Sequence, residues 1–484
     1  MSRIELISTP YAGRSAIASG QEAINVYAEI NASHDPQAPA KTTYYPTPGS
    51  VLYADPIFLK KARASYRTSL DTAFYVVGQN VYFLTSNQIL IFIGAIADLP
   101  SQIIFSDNGL VATFVDGKNG YVIDLATNTL GIITDPNFYP ADYVTLLDTF
   151  FIYNRAGTNQ FFISGSNVNY ALMTTTGAFD PLDIAAKSGF NDPIVGIVAV
   201  HRELWLIGNL TTEVWIGTGA ADFYFQEQQG AYINHGCAAQ FSIATIENSV
   251  LFIMQDKQGN GIVIQGDGYT LTEISTPRLV SIFKDYVDLT DAVGFCFQIV
   301  DHAFYALVFA NANAGWLYDL TTKQWSEWGW TDGNGVLNRP RANCYMFVYN
   351  ANLVGDWENG KLLKLDINEY QEYGASPIVC TRTFPHITDA KYSRISGLAF
   401  DADMQVGTIE DDGDPQVSLS WSDDKGVSYG NPVMQSLSKT GKFLTTISWN
   451  RLGQARDRVY KLSWAANCKT ALNGGFIDSK AAKT

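Results

Sequence analysis

Short apolar segments joined by short turns run through the stretch from Ile194 to Gly230. The middle segments alternate apolar and polar positions, as strands with one buried face do, and the first is almost wholly apolar, as strands covered on both faces are. The turns suit β-hairpins and are too short for the helix that a parallel crossover requires. We predict an antiparallel meander with strands at Ile194–Val200, Glu203–Gly208, Thr212–Ile216 and Phe223–Gln228.

Similar hairpin patterns recur along the chain, at Phe74–Leu84, Leu110–Asp124, Thr145–Ser164, Ile243–Gln265, Phe295–Asp319 and Tyr345–Asp366. With the first stretch they make about seven units spaced by roughly 37 to 52 residues, the range of propeller blades. One meander cannot bury its own two faces, whereas radial stacking of several meanders can. The sequence therefore predicts an all-β fold containing a β-propeller of about seven blades. Six blades is the alternative, because no residue-level signature repeats.

The pattern changes near residue 376. Three later segments alternate cleanly, at Val417–Trp421, Phe443–Trp449 and Arg458–Trp464. We expect an N-terminal arm of residues 1–70, a propeller over 71–375, a β-sandwich-like domain over 376–478 and a polar tail of 479–484. One surface helix is predicted after Thr276, because Pro277 suits the first helical position and apolar residues then follow at helical spacing.

The net charge of the chain bears on its function. Its 484 residues carry 32 basic and 47 acidic side chains, a net charge of −15. Affinity for nucleic acid comes mainly from lysine and arginine, so a general nucleic-acid binder is disfavoured. An acidic wall suits a passage through which DNA slides without sticking, and ordinary solubility explains the same charge. Aromatic residues make up 13% of the chain, as in large all-β proteins and in proteins with extensive subunit interfaces.

Residues that could carry chemistry are scattered. The five cysteines show no paired spacing, and no nucleophile, nucleotide or metal motif is present, so we expect no catalytic, cofactor or metal site. An acidic segment with Glu410, Asp411, Asp412 and Asp414 could bind Ca²⁺ through clustered carboxylates, but without EF-hand spacing a solvated loop is favoured. The longest apolar run, Ile89–Ala97, is too short to span a bilayer, so no membrane-spanning segment is expected.

Two basic clusters are candidate contacts with a partner or a neighbouring subunit. The first comprises Lys60, Lys61, Arg63 and Arg67, and the second Arg451, Arg456 and Arg458. Each has a plain alternative, a solvated face for the first and cross-strand pairing within the domain for the second.

The segment SDDKGVSY fits the Asp-box pattern, with Ser422, Asp424, Gly426 and Tyr429 at its defining positions. In such a hairpin the aspartate accepts hydrogen bonds from turn amides, the glycine takes a positive φ, and the aromatic ring covers the base. We predict a structural hairpin. Because Asp-boxes are common in sialidase propellers, a propeller glycosidase or glycan-binding module is the alternative function, although glycoside hydrolysis generally needs two apposed carboxylates.

The order of several segments resembles that of the packaged-DNA stabilisation proteins, or tail hubs, of short-tailed phages. These segments are NVYAE at 25–29, TPG at 47–49, IVGIVAVHRELWLIG with TTEVWIGTGA, and near the end SLSWSDDKGVSYG with WNRLGQARDRVYKLSW. The resemblance spans about residues 25 to 465 and is carried mainly by the central and C-terminal segments.

The resemblance implies a structural virion protein with no catalytic residues. Such a chain would form a ring, by analogy a hexamer, beneath the adaptor that follows the portal. It would retain packaged double-stranded DNA without sequence-specific binding, conduct it during ejection and carry tail fibres, spikes or a needle. The implied location is the tail of the virion, after assembly in the host cytoplasm.

Overall fold

The computed structural model describes residues 2–6, 19, 21–30, 42–220, 222–255, 259–373, 376–388, 395–406, 414–437 and 445–481. Almost all regular structure in these ranges is β, and it forms a seven-bladed propeller and a β-sandwich. The predicted all-β propeller with a C-terminal sandwich-like domain is confirmed.

Each blade is a four-stranded antiparallel sheet. From the innermost strand outwards, blade 1 contains Ala62–Arg67, Ala73–Val77, Asn80–Leu84 and Leu90–Ala95; blade 2 contains Ile104–Asp107, Val111–Val115, Gly120–Asp124 and Thr129–Ile132; blade 3 contains Val144–Leu147, Phe150–Asn154, Gln160–Ile163 and Ile184–Ala186. Blade 4 contains Ile194–Val200, Glu203–Gly208, Thr212–Gly217 and Phe225–Ile233; blade 5 contains Ala244–Ile246, Ser249–Gln255, Gly261–Asp267 and Thr270–Glu273. Blade 6 contains Val293–Ile299, His302–Phe309, Ala314–Asp319 and Gln324–Glu327; blade 7 contains Ala342–Val348, Ala351–Asp356, Leu362–Asp366 and Gly49–Ala54.

The meander predicted after Ile194 is blade 4. Its first two strands have the predicted bounds, and its fourth runs from Phe225 to Ile233. A register shift between Glu213 and Trp215 accompanies this longer strand. Apolar side chains from neighbouring blades pack into shared clusters, so that the sheet faces are buried between blades as radial stacking requires.

Helices are short and lie in the connections. The predicted helix is Pro277–Asp285, between blades 5 and 6, and the Thr276 hydroxyl caps it by accepting a hydrogen bond from the Leu279 amide at 3.3 Å. A shorter helix, Tyr170–Met173, lies in the long connection within blade 3, and a 3₁₀ turn spans Gln240–Ser242. Two-stranded hairpins complete the connections, formed by Trp330–Thr331 with Leu337–Asn338 and by Gln371–Glu372 with Ser376–Pro377.

The propeller is closed by a strand that precedes blade 1 in the sequence. Gly49–Ala54 pairs antiparallel with Leu362–Asp366 and becomes the outermost strand of blade 7. At the inner side, the Asn343 side-chain amide donates to the Ala62 carbonyl at 2.6 Å and so joins blade 7 to blade 1. The ring of blades is therefore sealed by hydrogen bonds rather than by packing alone.

The sandwich consists of two sheets around one apolar core that includes Phe400, Trp449 and Tyr460. One sheet contains Ser2–Glu5, Val26–Ile30, Thr42–Pro46, Ile395–Val406, Thr445–Trp449 and Thr470–Ala481. The other contains Ala23–Ile24, Cys380–Thr383, Ile387–Thr388, Gln416–Ser422, Val433–Ser436 and Asp457–Ala465. Both sheets thus use strands from the beginning and from the end of the chain.

A short strand, Ala23–Ile24, joins the two parts of the molecule. Ile24 pairs in parallel with Glu327 of blade 6, while the other edge of this strand pairs with Cys380–Thr383 of the sandwich. Next to it, Asn25 is buried and has a positive φ of 54°. Its side chain donates to the Val379 carbonyl at 3.0 Å and accepts from the Gly329 amide at 2.9 Å. Blade 6 and the sandwich therefore form one continuous hydrogen-bonded sheet.

The domain bounds expected from the sequence stay a prediction, but the structure shows how the first 70 residues are used. Their described strands are shared out between the sandwich, the outer edge of blade 7 and the inner strand of blade 1. Val26–Ile30 pairs with Thr42–Pro46, whereas Ser2–Glu5 and Gly49–Ala54 pair with strands from the far end of the chain.

Candidate functional site

The Asp-box residues form a compact hairpin turn in the sandwich, after the strand Gln416–Ser422. The Asp424 carboxylate accepts from the backbone amides of Val427 at 3.1 Å and Ser428 at 2.9 Å, and the Ser422 hydroxyl accepts from the Gly426 amide at 2.8 Å. Gly426 has a φ of 87°, as the pattern requires. The Tyr429 ring lies 5.3 Å from the Lys461 ammonium, measured to the ring centroid.

This geometry commits Asp424 to its own turn. Hydrogen bonds from the Ser422 and Ser428 hydroxyls and from the Ser428 amide lower its pKa to about 2. A carboxyl group with so low a pKa cannot hold the proton that a general acid for glycoside cleavage must donate near neutral pH. The Asp424 carboxylate therefore stabilises its own hairpin turn.

The first basic cluster is divided by the fold. Arg63 is buried, and its guanidinium donates to the carbonyls of Ser101 at 2.8 Å and Gly78 at 3.0 Å. Lys61 is half-buried, and its pKa is lowered by burial and by the nearby Arg339. Lys60 and Arg67 are exposed and form surface ion pairs within blade 1 or its flanking loops, with Asp98 and Asp71 respectively.

The second basic cluster is divided in the same way. The Arg458 guanidinium is buried against Trp421, with Nε 2.6 Å and Nη2 2.8 Å from the two carboxylate oxygens of Asp423. Arg451 and Arg456 are exposed. Arg63 and Arg458 thus hold the chain together internally, and the other five basic residues keep at least partial access to solvent.

Of the acidic segment, Glu410, Asp411 and Asp412 lie outside the described ranges, and only Asp414 lies within them. No group of three histidine, cysteine, aspartate or glutamate side chains that could hold a metal ion occurs in the ranges described. None of the five cysteines, all of which lie in the described ranges, forms a disulfide bond, and burial raises the pKa of Cys237 to about 12. No helix within those ranges is long and apolar enough to cross a bilayer.

Two acidic side chains meet at the joint between blade 6 and the sandwich. Glu22 forms an ion pair with Arg278 at 2.5 Å, and Glu327 lies beside them on the outermost strand of blade 6. Burial raises the pKa of Glu327 to about 7, with a further contribution from the charge of Glu22. The joint is therefore sensitive to pH near neutrality.

The outer edge of blade 1 is apolar and exposed. On the outermost strand Leu90–Ala95, Ile91 is 48% and Phe92 55% exposed, although neighbouring residues on a strand point to opposite faces. The loop with Ile57 and Leu59 lies at the Gly78 end of the blade, since a side chain at Gly78 would contact Phe58, whereas Leu90 pairs with Leu84 at the other end. We call the exposed apolar residues here the edge surface; they are Ile57, Leu59, Ile89, Ile91 and Phe92.

A second exposed apolar group lies at blade 4. The segment just before this blade is bound to it, since the Gly189 amide donates to buried Glu213 at 2.9 Å and the Leu210 amide donates to Asp192 at 2.8 Å. The Ser188 hydroxyl also donates to Glu227 on the outermost strand. We call these apolar residues, together with the partly exposed Glu227, the acidic surface; it comprises Phe190, Leu210, Tyr232 and Glu227.

Neither surface was among the sequence-based candidates, yet both have a signal in the sequence. No charged residue occurs between Asp71 and Asp98, a span that covers three strands of blade 1. No lysine or arginine occurs between Glu203 and Gln255, a span that contains five acidic residues. Long gaps in one class of charge, rather than clusters of it, mark these surfaces.

Comparison with solved structures finds matches of low sequence identity. The Neurospora crassa Pan2 WD40 domain has 10% identity and a TM-score of 0.40, with 68% of this chain and 97% of that chain covered. The extracellular domain of the hybrid two-component system BT4673 from B. thetaiotaomicron has 10% identity and a TM-score of 0.45, with 85% of this chain and 56% of that chain covered. A search of curated protein sequences found no match.

Family models match nearly the whole chain in the order of its two parts. The model described as the β-propeller of bacteriophage P22 Gp10 matches residues 33–370, and the model described as the β-sandwich of the same protein matches residues 385–480. The first range contains all seven blades and the second contains most of the C-terminal strands of the sandwich, and the two matches give no support to the glycosidase alternative. The chain therefore belongs to the bacteriophage P22 Gp10 family and is a structural protein of a phage tail.

Proposed function

We propose that this chain is a tail-hub, or nozzle, subunit that forms a ring below the portal and its adaptor. In this role it retains packaged DNA, conducts the DNA during ejection and anchors tail fibres, a spike or a needle. The observation that carries the proposal is the match of both family models, in order, to one chain, together with the name of the propeller model, which refers to phage stabilisation.

The construction of the chain suits mechanical work. The strand Gly49–Ala54 seals the propeller, and the strand Ala23–Ile24 makes the outer edge of blade 6 continuous with the sandwich. Hydrogen-bonded closure and a shared sheet resist separation of the parts under the outward pressure of confined DNA. In this proposal the protein has no catalytic activity and needs no cofactor or metal.

The charge of the chain suits contact with moving DNA. A net charge of −15 per copy is multiplied in a ring, and repulsion of phosphates keeps the polymer from adhering to the wall. We expect the isolated protein to bind double-stranded DNA weakly at physiological salt, since phosphate affinity needs lysine and arginine.

Exposed basic residues are the proposed contacts with acidic partner proteins. Lys60 and Arg67 on the propeller and Arg451 and Arg456 on the sandwich are accessible, and Lys61 is partly so. Two separate basic sites suit a subunit that contacts an adaptor at one end and a tail appendage at the other. We propose six copies for the ring, by the analogy drawn from the sequence.

The test is assembly with and without the preceding parts of the particle. The full-length protein is measured by size-exclusion chromatography with light scattering, alone and after addition of portal–adaptor complexes, and the products are viewed by electron microscopy. A ring, or ring-like density below the adaptor, is expected. A protein that stays monomeric and unbound in both conditions overturns the proposal, as do particles that keep their DNA fully when this chain is missing.

A further inference from the structure

We propose that Lys61 and Arg339 form a binding site for a carboxylate group of an acidic protein segment, at one opening of the central channel of the propeller. This inference rests on the proposed function for the identity of the partner, a neighbouring tail protein, and names the site at which that partner is bound. The basis is the place of the two residues in the fold, the way in which Trp357 holds Arg339, and the lack of an ion-pair partner for either cation.

Lys61 and Arg339 each lie just before an innermost strand. Lys61 precedes Ala62–Arg67 of blade 1, and Arg339 precedes Ala342–Val348 of blade 7. The innermost strands of a propeller run in the same direction along the axis, so their first residues surround one opening of the channel. Blades 7 and 1 are neighbours in the closed ring, and the Asn343 side-chain amide joins them by donating to the Ala62 carbonyl at 2.6 Å. The two basic side chains therefore arise on adjacent strands at the same opening.

The Arg339 side chain is held by the connection between blades 6 and 7. Its backbone amide donates to the Asn313 side-chain carbonyl at 3.1 Å, and its guanidinium carbon lies 3.8 Å from the centroid of the Trp357 ring. Trp357 is fixed in turn, since its indole N–H donates to the Pro340 carbonyl at 3.0 Å. A guanidinium stacked by its face on an aromatic ring keeps its N–H edge available, and that edge matches the two oxygens of a carboxylate.

Neither cation is paired within the ranges that the structure describes. The basic residues around them each have a carboxylate partner; the pairs are Lys60 with Asp98, Arg341 with Asp356, and Lys361 with Asp55. Lys61 and Arg339 form no ion pair with a described carboxylate, and both side chains are half-buried and keep partial access to solvent. Half-buried cations without a counter-charge are unfavourable, so an arriving anion gains more here than at a fully exposed lysine.

The two charges also oppose each other. Burial lowers the pKa of Lys61, and the charge of Arg339 lowers it further, which shows that the two cations are close in a poorly solvated place. Asp291, two residues before the innermost strand of blade 6, attracts both of them but forms an ion pair with neither. One of its oxygens already accepts a hydrogen bond from the Asn311 amide. The three side chains thus keep a net positive charge, which a bound carboxylate balances.

The site favours a carboxylate of a polypeptide over the phosphates of a DNA duplex. Nucleic acid is held by many lysine and arginine contacts, each of which adds to the affinity, whereas two unpaired cations beside Asp291 supply few. A chain with a net charge of −15 repels a long polyanion, while a segment with a few carboxylates needs only a local attraction. The occupant is therefore an acidic protein segment.

The inference is tested by fluorescence anisotropy with the full-length protein and a labelled tetraglutamate peptide at low salt. The wild type is expected to bind the peptide, and Lys61→Gln and Arg339→Gln should each weaken binding by at least about tenfold, the effect of one charge-assisted hydrogen bond. The matched control is Lys118→Gln, which removes the same charge from an exposed turn of blade 2 on the same side of the propeller and should bind as the wild type does. Circular dichroism and thermal unfolding check that all variants are folded.

Asp291→Asn gives a readout that a merely structural role of the two cations would not move. Asparagine keeps an oxygen for the Asn311 amide and removes the negative charge beside the site, so peptide binding should tighten, on the order of threefold. A wild type that does not bind the peptide, unchanged affinity in Arg339→Gln, or an equal loss in Lys118→Gln overturns the inference. A short labelled DNA duplex that binds through Lys61 and Arg339 overturns the assignment to an acidic protein segment.

The outcome is separable from that of the proposed function. If the wild type forms rings below the adaptor but does not bind the peptide, the tail-hub proposal stands and the carboxylate site fails. If peptide binding depends on Lys61 and Arg339 while the chain stays monomeric and unbound to portal–adaptor complexes, the carboxylate site stands and the tail-hub proposal fails.

Discussion

The outer edges of blade 6 and blade 1 handle the same physical problem differently. Both are the last strand of a four-stranded sheet, and each begins with unpaired backbone groups along one side. At blade 6 the chain supplies its own cover through Ile24, and a ten-stranded sheet runs into the sandwich. At blade 1 no described strand of the chain does so, and Ile91 and Phe92 stay exposed.

The outer strands of blade 6 and blade 1 therefore differ in how their unpaired backbone groups are treated. An edge covered from within contributes to the stability of the isolated chain, whereas the outer strand of blade 1 carries a β-bulge and leaves Ile91 and Phe92 accessible. Substitutions at blade 6 should therefore be measured in unfolding, and substitutions at blade 1 in association.

The largest effect is expected from a substitution at the covered outer edge of blade 6. Replacing Asn25 with alanine leaves the buried Gly329 amide without its partner, at about 1–3 kcal/mol, and removes the hydrogen bond to the half-buried Val379 carbonyl. We expect the free energy of unfolding to fall by about 3 kcal/mol in urea denaturation. Asn87→Ala, in an exposed turn of blade 1, is the matched control and should change it by less than about 0.5 kcal/mol. Equal effects of the two would contradict the role given to Asn25.

The second prediction uses pH at the same joint. Glu327 has a pKa of about 7, raised by burial, against a reference value of 4.5 in the unfolded chain. The folded state therefore holds this proton more tightly, so the stability it contributes is complete below pH 4.5 and is lost as pH rises to about 7. We expect Glu327→Gln to remove this loss and to stabilise the protein by about 2 kcal/mol at pH 8.

The measurement is the unfolding midpoint of wild type and variant at intervals from pH 4.5 to 8. The difference between them should grow with pH. Glu247→Gln, at an exposed position, is the control and should follow the wild type at every pH. A difference that shrinks as pH rises would have the wrong sign for a raised pKa.

The third prediction concerns the bare edge in the isolated chain. Because Phe92 is 55% exposed, Phe92→Thr should change the free energy of unfolding of a monomer by no more than about 0.5 kcal/mol. The same change should slow aggregation on heating, since it removes an exposed apolar group from an outer strand. Thermal unfolding at low concentration and turbidity at high concentration give the two readouts. A loss above about 1 kcal/mol would mean that this side chain is already covered.

The smallest effect is expected at a third edge, in the sandwich. The strand Val433–Ser436 is exposed, and the Asp424 turn precedes it. Asp424→Asn should leave the global unfolding midpoint unchanged and speed hydrogen exchange of the Val427 and Ser428 amides. Because the pKa of Asp424 is lowered to about 2, the wild-type turn should keep its protection down to about that pH and lose it below. Unchanged hydrogen exchange in the variant would contradict the role of Asp424 in stabilising this turn.

The features predicted correctly from sequence are those that depend on the local pattern of apolar and polar residues. Alternation and short turns define the strands of blade 4. The Thr276–Pro277 start likewise defines the helix between blades 5 and 6 without knowledge of any distant residue. The turn chemistry of Asp424 and Gly426 is equally local. A pattern of this kind needs only neighbours within a few positions to be satisfied.

Partners across the chain could not be predicted in the same way. Gly49–Ala54 has the pattern of a strand, but nothing within it specifies pairing with Leu362–Asp366 at the far end of the propeller. Likewise, Arg63 and Arg458 look like surface charges in sequence, and only the fold shows them bonded to Ser101 and Asp423 inside the chain. Conversely, the edge surface is not predicted from sequence, because its signal is an absence of charged residues and not a cluster of them.

The strand that seals the propeller sets an order in which the protein can mature. Blades 1 to 6 are made of contiguous segments and can form while the ribosome is still at work, but Gly49–Ala54 must wait until Leu362–Asp366 has emerged. The sandwich waits longer still, because Val26–Ile30 and Thr42–Pro46 share a sheet with Thr470–Ala481. A polypeptide interrupted before its final strands would leave Ser2–Glu5 and one edge of Thr42–Pro46 without the partner strand Thr470–Ala481, so we expect incomplete copies to lack a complete sandwich.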